Sequence, residues 1–174
     1  MGDPRFPVGE FSSPGEITPR LLDEYIDTIA SAPSAFRGAV AGLSSAQLDT
    51  PYRDGGWTVR QVVHHMADSH MNSFVRYKLA LTEENPTIKP YAEDRWAELI
   101  DGKAADVEVS LRLLEGIHER WVMLVRAFTL TEWERTFNHP ERGKVRLDST
   151  MAMYAWHCRH HLAHITVLRD QKGW

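Results

Sequence analysis

Four of the nine histidines fall within the nine residues Trp156-His157-Cys158-Arg159-His160-His161-Leu162-Ala163-His164. No glycine or proline interrupts this stretch, and its apolar residues suit a helix. At about 100° per residue, His157, His161 and His164 fall within an arc of about 60°. Histidines at i and i+4 stand one above the other on a helix, near enough to share one metal ion. Imidazole is the commonest metal-ligand side chain. Two imidazoles on one helix do not hold a metal, so a third ligand has to come from another element.

The 174 residues suit one domain spanning 1–174. At 43% hydrophobic and 25% charged, the chain has the composition of a globular protein. A net charge of -4 with histidine neutral gives no global electrostatic case for nucleic acid. No apolar run approaches the roughly 20 residues needed to span a bilayer, so no membrane partner is expected. Met1 to Pro14 lacks the apolar segment of a secretory signal. The lone Cys158 excludes an intramolecular disulfide and fits a reducing, cytoplasmic setting.

Residues 1–17 are rich in proline and glycine and read as an irregular N-terminal arm. Thr18-Pro19 is a helix start, with threonine as cap and proline at the first helical position. Pro33 is expected to kink or divide this helix, which runs to about Val40. Ser44 opens a short turn. Thr58 with Gln61 fits a capping box, opening a helix to about Thr82. Short helical segments are expected over Glu93 to Ile100 and around Thr131 to Glu134. Asp106 to about Thr129 is a long helix. Phe137 to Leu147 reads as a loop or hairpin. Asp148 or Ser149 caps a last helix, which Gly173 stops. Four long helices predict an all-α four-helix bundle with short extra helices.

Outside the last helix, His65 is the best third ligand. It lies mid-helix in a stripe with Gln61, Ser69, Asn72 and Arg76, a stripe whose plainest reading is a solvated face. His65 with His157 and His161 makes three histidines with an open position, the pattern of catalytic zinc. His160 with His164 is a rival pair that the helical wheel separates poorly. Glu115-Gly116-Ile117-His118 has the spacing of a di-iron carboxylate site, but such a site needs two copies. His70 and His118 read as packing or surface residues. Asp68 lies one turn after His65. It could orient an imidazole or act as a base, with the orienting role favoured. For Arg76 a surface ion pair is the plainer reading. Cys158 lies off the ligand face and reads as a buried thiol. Tyr154 sits at the edge of that face, and His139 in a loop that could overhang it.

The stretch Trp57-Thr58-Val59-Arg60-Gln61-Val62-Val63-His64-His65-Met66-Ala67-Asp68 resembles the H-x-x-D helix of the DinB/YfiT-like superfamily. His157-Cys158-Arg159-His160-His161 matches its closing H-x-x-x-H. Thr50-Pro51-Tyr52-Arg53-Asp54-Gly55-Gly56 and His161-Leu162-Ala163-His164-Ile165-Thr166 bring the resemblance closest to the YfiT-type metal-dependent hydrolases. It covers nearly the whole chain. It implies a four-helix bundle, usually dimeric, with one divalent metal per chain, carried over by position to His65, His157 and His161. His164 and His160 then flank the ligands, with Gln61 and Asn72 as candidate pocket residues.

What the resemblance implies for chemistry divides in two. A three-imidazole ion with an open position can ionise bound water for hydrolysis. It can equally hold a thiol as thiolate, and relatives include S-transferases that use bacillithiol or mycothiol. The substrate is a small molecule either way, joined by a low-molecular-weight thiol in the second chemistry. A third reading is a bundle that holds metal without turnover. Three imidazoles suit zinc, nickel, copper or iron. Availability favours zinc, and nickel is the second candidate.

Overall fold

In the computed structural model, which describes residues 3–174, the bundle begins where the cap signal lies. Thr18 accepts a hydrogen bond from the Leu21 N–H and Pro19 fills the first position of helix α1, Pro19–Val40. Pro33 does not divide α1, which is continuous through it. A proline inside a helix lacks the N–H that would bond four residues back. The Ile29 carbonyl is therefore left without its helical partner, and His118 of another helix supplies a donor at 2.6 Å. Met1 and Gly2 of the expected arm lie outside the described residues.

Two short capped elements frame the second long helix. Ser44 and Gln47 close a capping box on α2, Ser45–Leu48, and Thr58 and Gln61 do the same on α3, Val59–Thr82. Next come α4, Glu93–Ala97, and α5, Ile100–Ala104. The latter runs on beyond the expected helical segment, Glu93 to Ile100. The third long helix is α6, Val107–Arg126, capped by Asp106. The capping box of α7, Leu130–Trp133, is Thr129 with Glu132, so this short helix starts ahead of the expected segment around Thr131 to Glu134.

The segment read as loop or hairpin is a hairpin: β1, Thr136–His139, pairs antiparallel with β2, Gly143–Arg146. It runs straight into α8, Leu147–Lys172. Neither Asp148 nor Ser149 caps α8. The chain enters the helix directly from a strand, and the Leu147 N–H bonds the Arg135 carbonyl at 3.0 Å. The Asp148 carboxylate instead pairs with Arg146 at 2.7 Å.

The four long helices close a ring, α1 on α8, α8 on α3, α3 on α6 and α6 on α1. Trp121, Tyr77, Phe36, Ile29 and Met66 fill its centre and are fully buried. The Tyr77 hydroxyl donates to the Leu147 carbonyl at 2.7 Å, pinning the start of α8 to α3. No helix among the described residues is long and apolar enough to cross a membrane. The architecture is a four-helix bundle with one small two-stranded sheet.

Candidate metal centre

Helices α3 and α8 cross with His65 facing His157 and His161. The Nε2 atoms of His65 and His157 lie 3.2 Å apart. His65, His157 and His161 each offer a ligand atom, and the three atoms lie within 4.8 Å of one another. Two imidazole nitrogens so close either share a proton or share a cation. The Nδ1 atom of His161 is buried with no hydrogen-bond partner, a costly state for a polar atom that a cation at that nitrogen would relieve. This donor set fits one borderline metal ion. His160, His161 and His164 form a second set within the same distance. It shares His161, so the two sets compete for that ring.

The stripe of α3 that plain amphipathicity would send to water is instead largely buried: Gln61, His65 and Ser69 are all inside. His65 and Ser69 line a cavity of about 750 Å³. Arg76 also lines it and forms no ion pair among the described residues, against the surface-pair reading. Gln61 does not line it. Its amide donates to the Ala97 carbonyl at 2.8 Å and its oxygen serves the α3 cap. Asn72 turns back to the Asp68 carbonyl of its own helix at 2.8 Å. Asp68 is half-buried and hydrogen-bonds none of the site imidazoles. Burial, then Asp101, raises its pKa to about 6.

The partner that orients the His157 imidazole is another histidine. His157 Nδ1 lies 3.2 Å from His70 Nε2. His70 Nδ1 lies 2.8 Å from His118 Nε2, and His118 Nδ1 reaches the Ile29 carbonyl. His70 and His118 are fully enclosed. The expectation that they only pack is incomplete, because each uses both ring nitrogens. The available signal was Pro33, which frees a carbonyl on the face of α1 that meets α6.

Loop 50–57 covers the other side. The Tyr52 N–H bonds the Trp57 carbonyl at 3.0 Å, closing a tight turn. Gly55 has φ +65°, and a Cβ on Gly56 would sit 2.7 Å from Arg53 Cγ. Glycine is required at both for different reasons, a left-handed backbone and a close approach. The turn stacks Tyr52 on His164 at 3.9 Å and sets Trp57 against His65 at 4.6 Å between ring centres. The N-terminal arm closes a third side. The Arg5 carbonyl lies 3.3 Å from His164 Nε2, and the Gly9 carbonyl accepts from the Trp156 indole at 3.1 Å.

Burial holds the imidazoles neutral. It lowers the pKa of His65 to about 3 and of His164 to about 4, and puts His157 and His161 well below the ordinary range. The neighbouring histidines add to each of these shifts. Neutral imidazoles carry the lone pairs a metal needs. Cys158 is buried with its thiol pKa pushed up by desolvation, so it is no nucleophile. Tyr154 and His139 both line the cavity, His139 from the end of β1 rather than from a loop. The carboxylates on the wall are Glu93, Asp94 and Glu141, none of which the sequence had singled out.

Residues 28–165 match the model of the DinB superfamily. The chain is 54% identical to a protein of Bacillus cereus named "Putative metal-dependent hydrolase", over 174 residues and 100% of both chains. A protein of Bacillus mycoides with the same description is 53% identical, again over 100% of both chains. Among solved structures, the chain is similar to YfiT from Bacillus subtilis, with 47% identity, a TM-score of 0.95 and 98% of each chain covered. That protein is described as "a probable metal-dependent hydrolase with an unusual four-helix bundle topology". A further four-helix bundle, at 20% identity and TM-score 0.57, shares the fold alone.

Proposed function

The chain belongs to the DinB superfamily, and from that premise we propose that it is a metal-dependent hydrolase of the YfiT type, with one divalent ion held by His65, His157 and His161. The observation that carries this reading is the convergence of three neutral imidazoles from two helices on the wall of one cavity. Three neutral ligands leave the full charge of the ion in place. A divalent ion bound there would supply Lewis acidity that ionises water near neutral pH, or that holds a thiol as thiolate when a thiol replaces the water. Zinc suits the donor set, with nickel as the second candidate.

The chain's own residues do the rest. Trp57 lies against His65 and shields that side of the ligands from solvent. The cavity, at about 750 Å³, has the size of a small-molecule site. Arg76 and Arg142 on its wall attract an anionic group of the substrate, and Glu93 and Glu141 add carboxylates to the same wall. His164, held by the Arg5 carbonyl, fixes the arm over the ligands.

A second reading is a thiol S-transferase. It is favoured by the cavity's size and by its four arginines, Arg53, Arg76, Arg95 and Arg142, set against three carboxylates. That surplus complements an acid-bearing low-molecular-weight thiol. The deciding experiment loads the protein with zinc and assays an ester and amide panel, then an electrophilic acceptor with and without thiol. Thiol-independent hydrolysis that is lost in His157→Ala supports the hydrolase. Conjugation that needs thiol and is lost in the same variant replaces it with the transferase.

A further inference from the structure

We propose that Pro33 sets the proton positions of the metal ligand His157 through a chain of two buried histidines, His118 and His70, which are positioning residues. The inference rests on the three-histidine reading of the metal centre and adds to it a reason why His157 is ready to bind.

The order of donors follows from one end. Pro33 has no N–H, so the Ile29 carbonyl four residues earlier has no partner within α1. A carbonyl only accepts. His118 Nδ1, at 2.6 Å from it, therefore carries a proton and donates. A neutral imidazole has one donor and one acceptor, so His118 Nε2 is bare. It accepts from His70 Nδ1–H at 2.8 Å, which leaves His70 Nε2 bare. That atom accepts from His157 Nδ1–H at 3.2 Å. His157 Nε2 is then bare, and it is the nitrogen that faces His65 Nε2 at 3.2 Å. One freed carbonyl thus fixes three tautomers in series. The last exposes a lone pair where a metal ion needs it.

The surroundings agree with this direction. The Cys158 thiol lies 4.0 Å from His70 Nε2, a weak donor facing an acceptor. Tyr154 and Trp121 meet the His70 ring edge-on, with centroids at 5.0 and 5.8 Å, and hold its plane. The chain ends on a backbone carbonyl, which has no proton to give and none to keep. It orients and polarises His157 but conducts no proton away. Outer partners of this kind raise the basicity of a ligand and fix its ring.

The same logic makes His65 different. With His157 Nε2 bare, His65 Nε2–H is the donor between the two rings in the metal-free protein. Metal binding has to move the His65 proton, while His157 needs no change.

Imidazole nitrogen NMR on the whole protein, near pH 8 without metal and then with zinc, reads these positions directly. The expected metal-free spectrum has His157, His70 and His118 as Nδ1–H forms and His65 as the Nε2–H form. Zinc should change the tautomer of His65 and leave the other three as they were. An Nε2–H form of His157 or His70 in the metal-free protein overturns the proposal. Zinc titration of His70→Gln and His70→Leu adds a second test. Glutamine keeps an oxygen acceptor in reach of His157 and leucine keeps none. His70→Leu is expected to bind zinc about 10–100-fold more weakly, and His70→Gln to recover most of that loss. Equal losses in both, at equal helix content, overturn it too. Wild-type protein that takes up no zinc would sink the metal reading instead, and the metal-free spectrum would still decide the donor order.

Discussion

His65 and His157 are 92 positions apart in the chain, yet their Nε2 atoms lie 3.2 Å apart where α3 crosses α8. Beside it the Tyr154 hydroxyl donates to the Ser69 carbonyl at 3.2 Å and His157 meets His70 at 3.2 Å, bracing α8 against α3. The contact is maintained by the bundle core around it and by Tyr52 and Trp57 packed over the histidines.

If His65, His157 and His161 hold the ion, single alanine substitutions should separate the two competing histidine sets. His157→Ala removes a ligand of the first set only, and His160→Ala one of the second only. Zinc affinity measured by competition should fall in His157→Ala by more than the roughly 10–100-fold typical of an outer partner. It should change little in His160→Ala. The reverse ranking would move the ion to His160, His161 and His164.

How much of this was legible in the sequence depends on the range of the interaction. The cap pairs Thr58–Gln61 and Ser44–Gln47 are local, and they appear at those positions. The bundle follows from four long apolar faces. The histidine cluster was visible as spacing on one helix and His65 as its facing residue, whereas the choice of His157 and His161 over His160 and His164 needed the resemblance. Gln61 and Asn72 were placed in the pocket because they share the stripe of His65. A stripe does not show that Gln61 is engaged with the cap and α4, or that Asn72 folds back on its own helix. The chain through His70 and His118 was invisible for a different reason. It joins α1, α3, α6 and α8, so no periodicity of any one helix encodes it.

The metal-free protein should lose stability in mild acid. His65, His70, His157 and His161 have pKa values lowered by burial from 6.5, that of His65 to about 3. Below pH 6.5 the unfolded chain takes up protons at these sites and the folded chain does not. Stability is therefore complete above that pH and declines below it, at up to about 1.4 kcal/mol per pH unit for each group. Asp68 acts in the opposite sense. Its pKa is raised from 3.8 to about 6, so its contribution is present in acid and lost as the pH rises through that value. One carboxyl does not offset four imidazoles. Urea midpoints should drop between about pH 7.5 and about pH 5.5, and a flat profile would contradict the buried-neutral state of the cluster.

Gly56→Ala should loosen the loop over the site. The added Cβ meets Arg53 Cγ at 2.7 Å and the Arg53 carbonyl at 3.2 Å. Neither is the far end of a side chain, so the turn itself has to shift. A cost of about 1–3 kcal/mol is expected, read as a lower melting temperature. Loss of the Tyr52–His164 stack should accompany it as increased proteolysis within residues 50–57. Unchanged melting would mean that the turn relaxes freely.

Cys158 should be chemically silent while the protein is folded. It is buried beside His70, and desolvation raises its pKa. A thiol reagent should label it only after denaturation, and Cys158→Ala should leave zinc affinity within about threefold of wild type, since a weak S–H donor adds little. Rapid labelling of the native protein would require an opening of α8 that this packing does not contain.

Arg76 offers the clearest test of substrate charge. It extends from α3 to the cavity wall and forms no ion pair among the described residues. A guanidinium left unpaired beside a cavity is available to a carboxylate or phosphate of the ligand. Such a contact, made equally in the ground and transition states, adds to binding without changing the chemical step. Arg76→Ala should therefore raise KM for an anionic substrate by about 10-fold, equivalent to about 1.4 kcal/mol, and leave kcat alone. Added salt should raise the wild-type KM more steeply than that of the variant, because screening acts on one charge fewer there, with Arg53, Arg95 and Arg142 still on the wall. A neutral substrate should show neither effect. If anionic and neutral substrates respond alike, Arg76 supports the wall rather than the ligand, and the arginine surplus loses its force as an argument for an acid-bearing thiol.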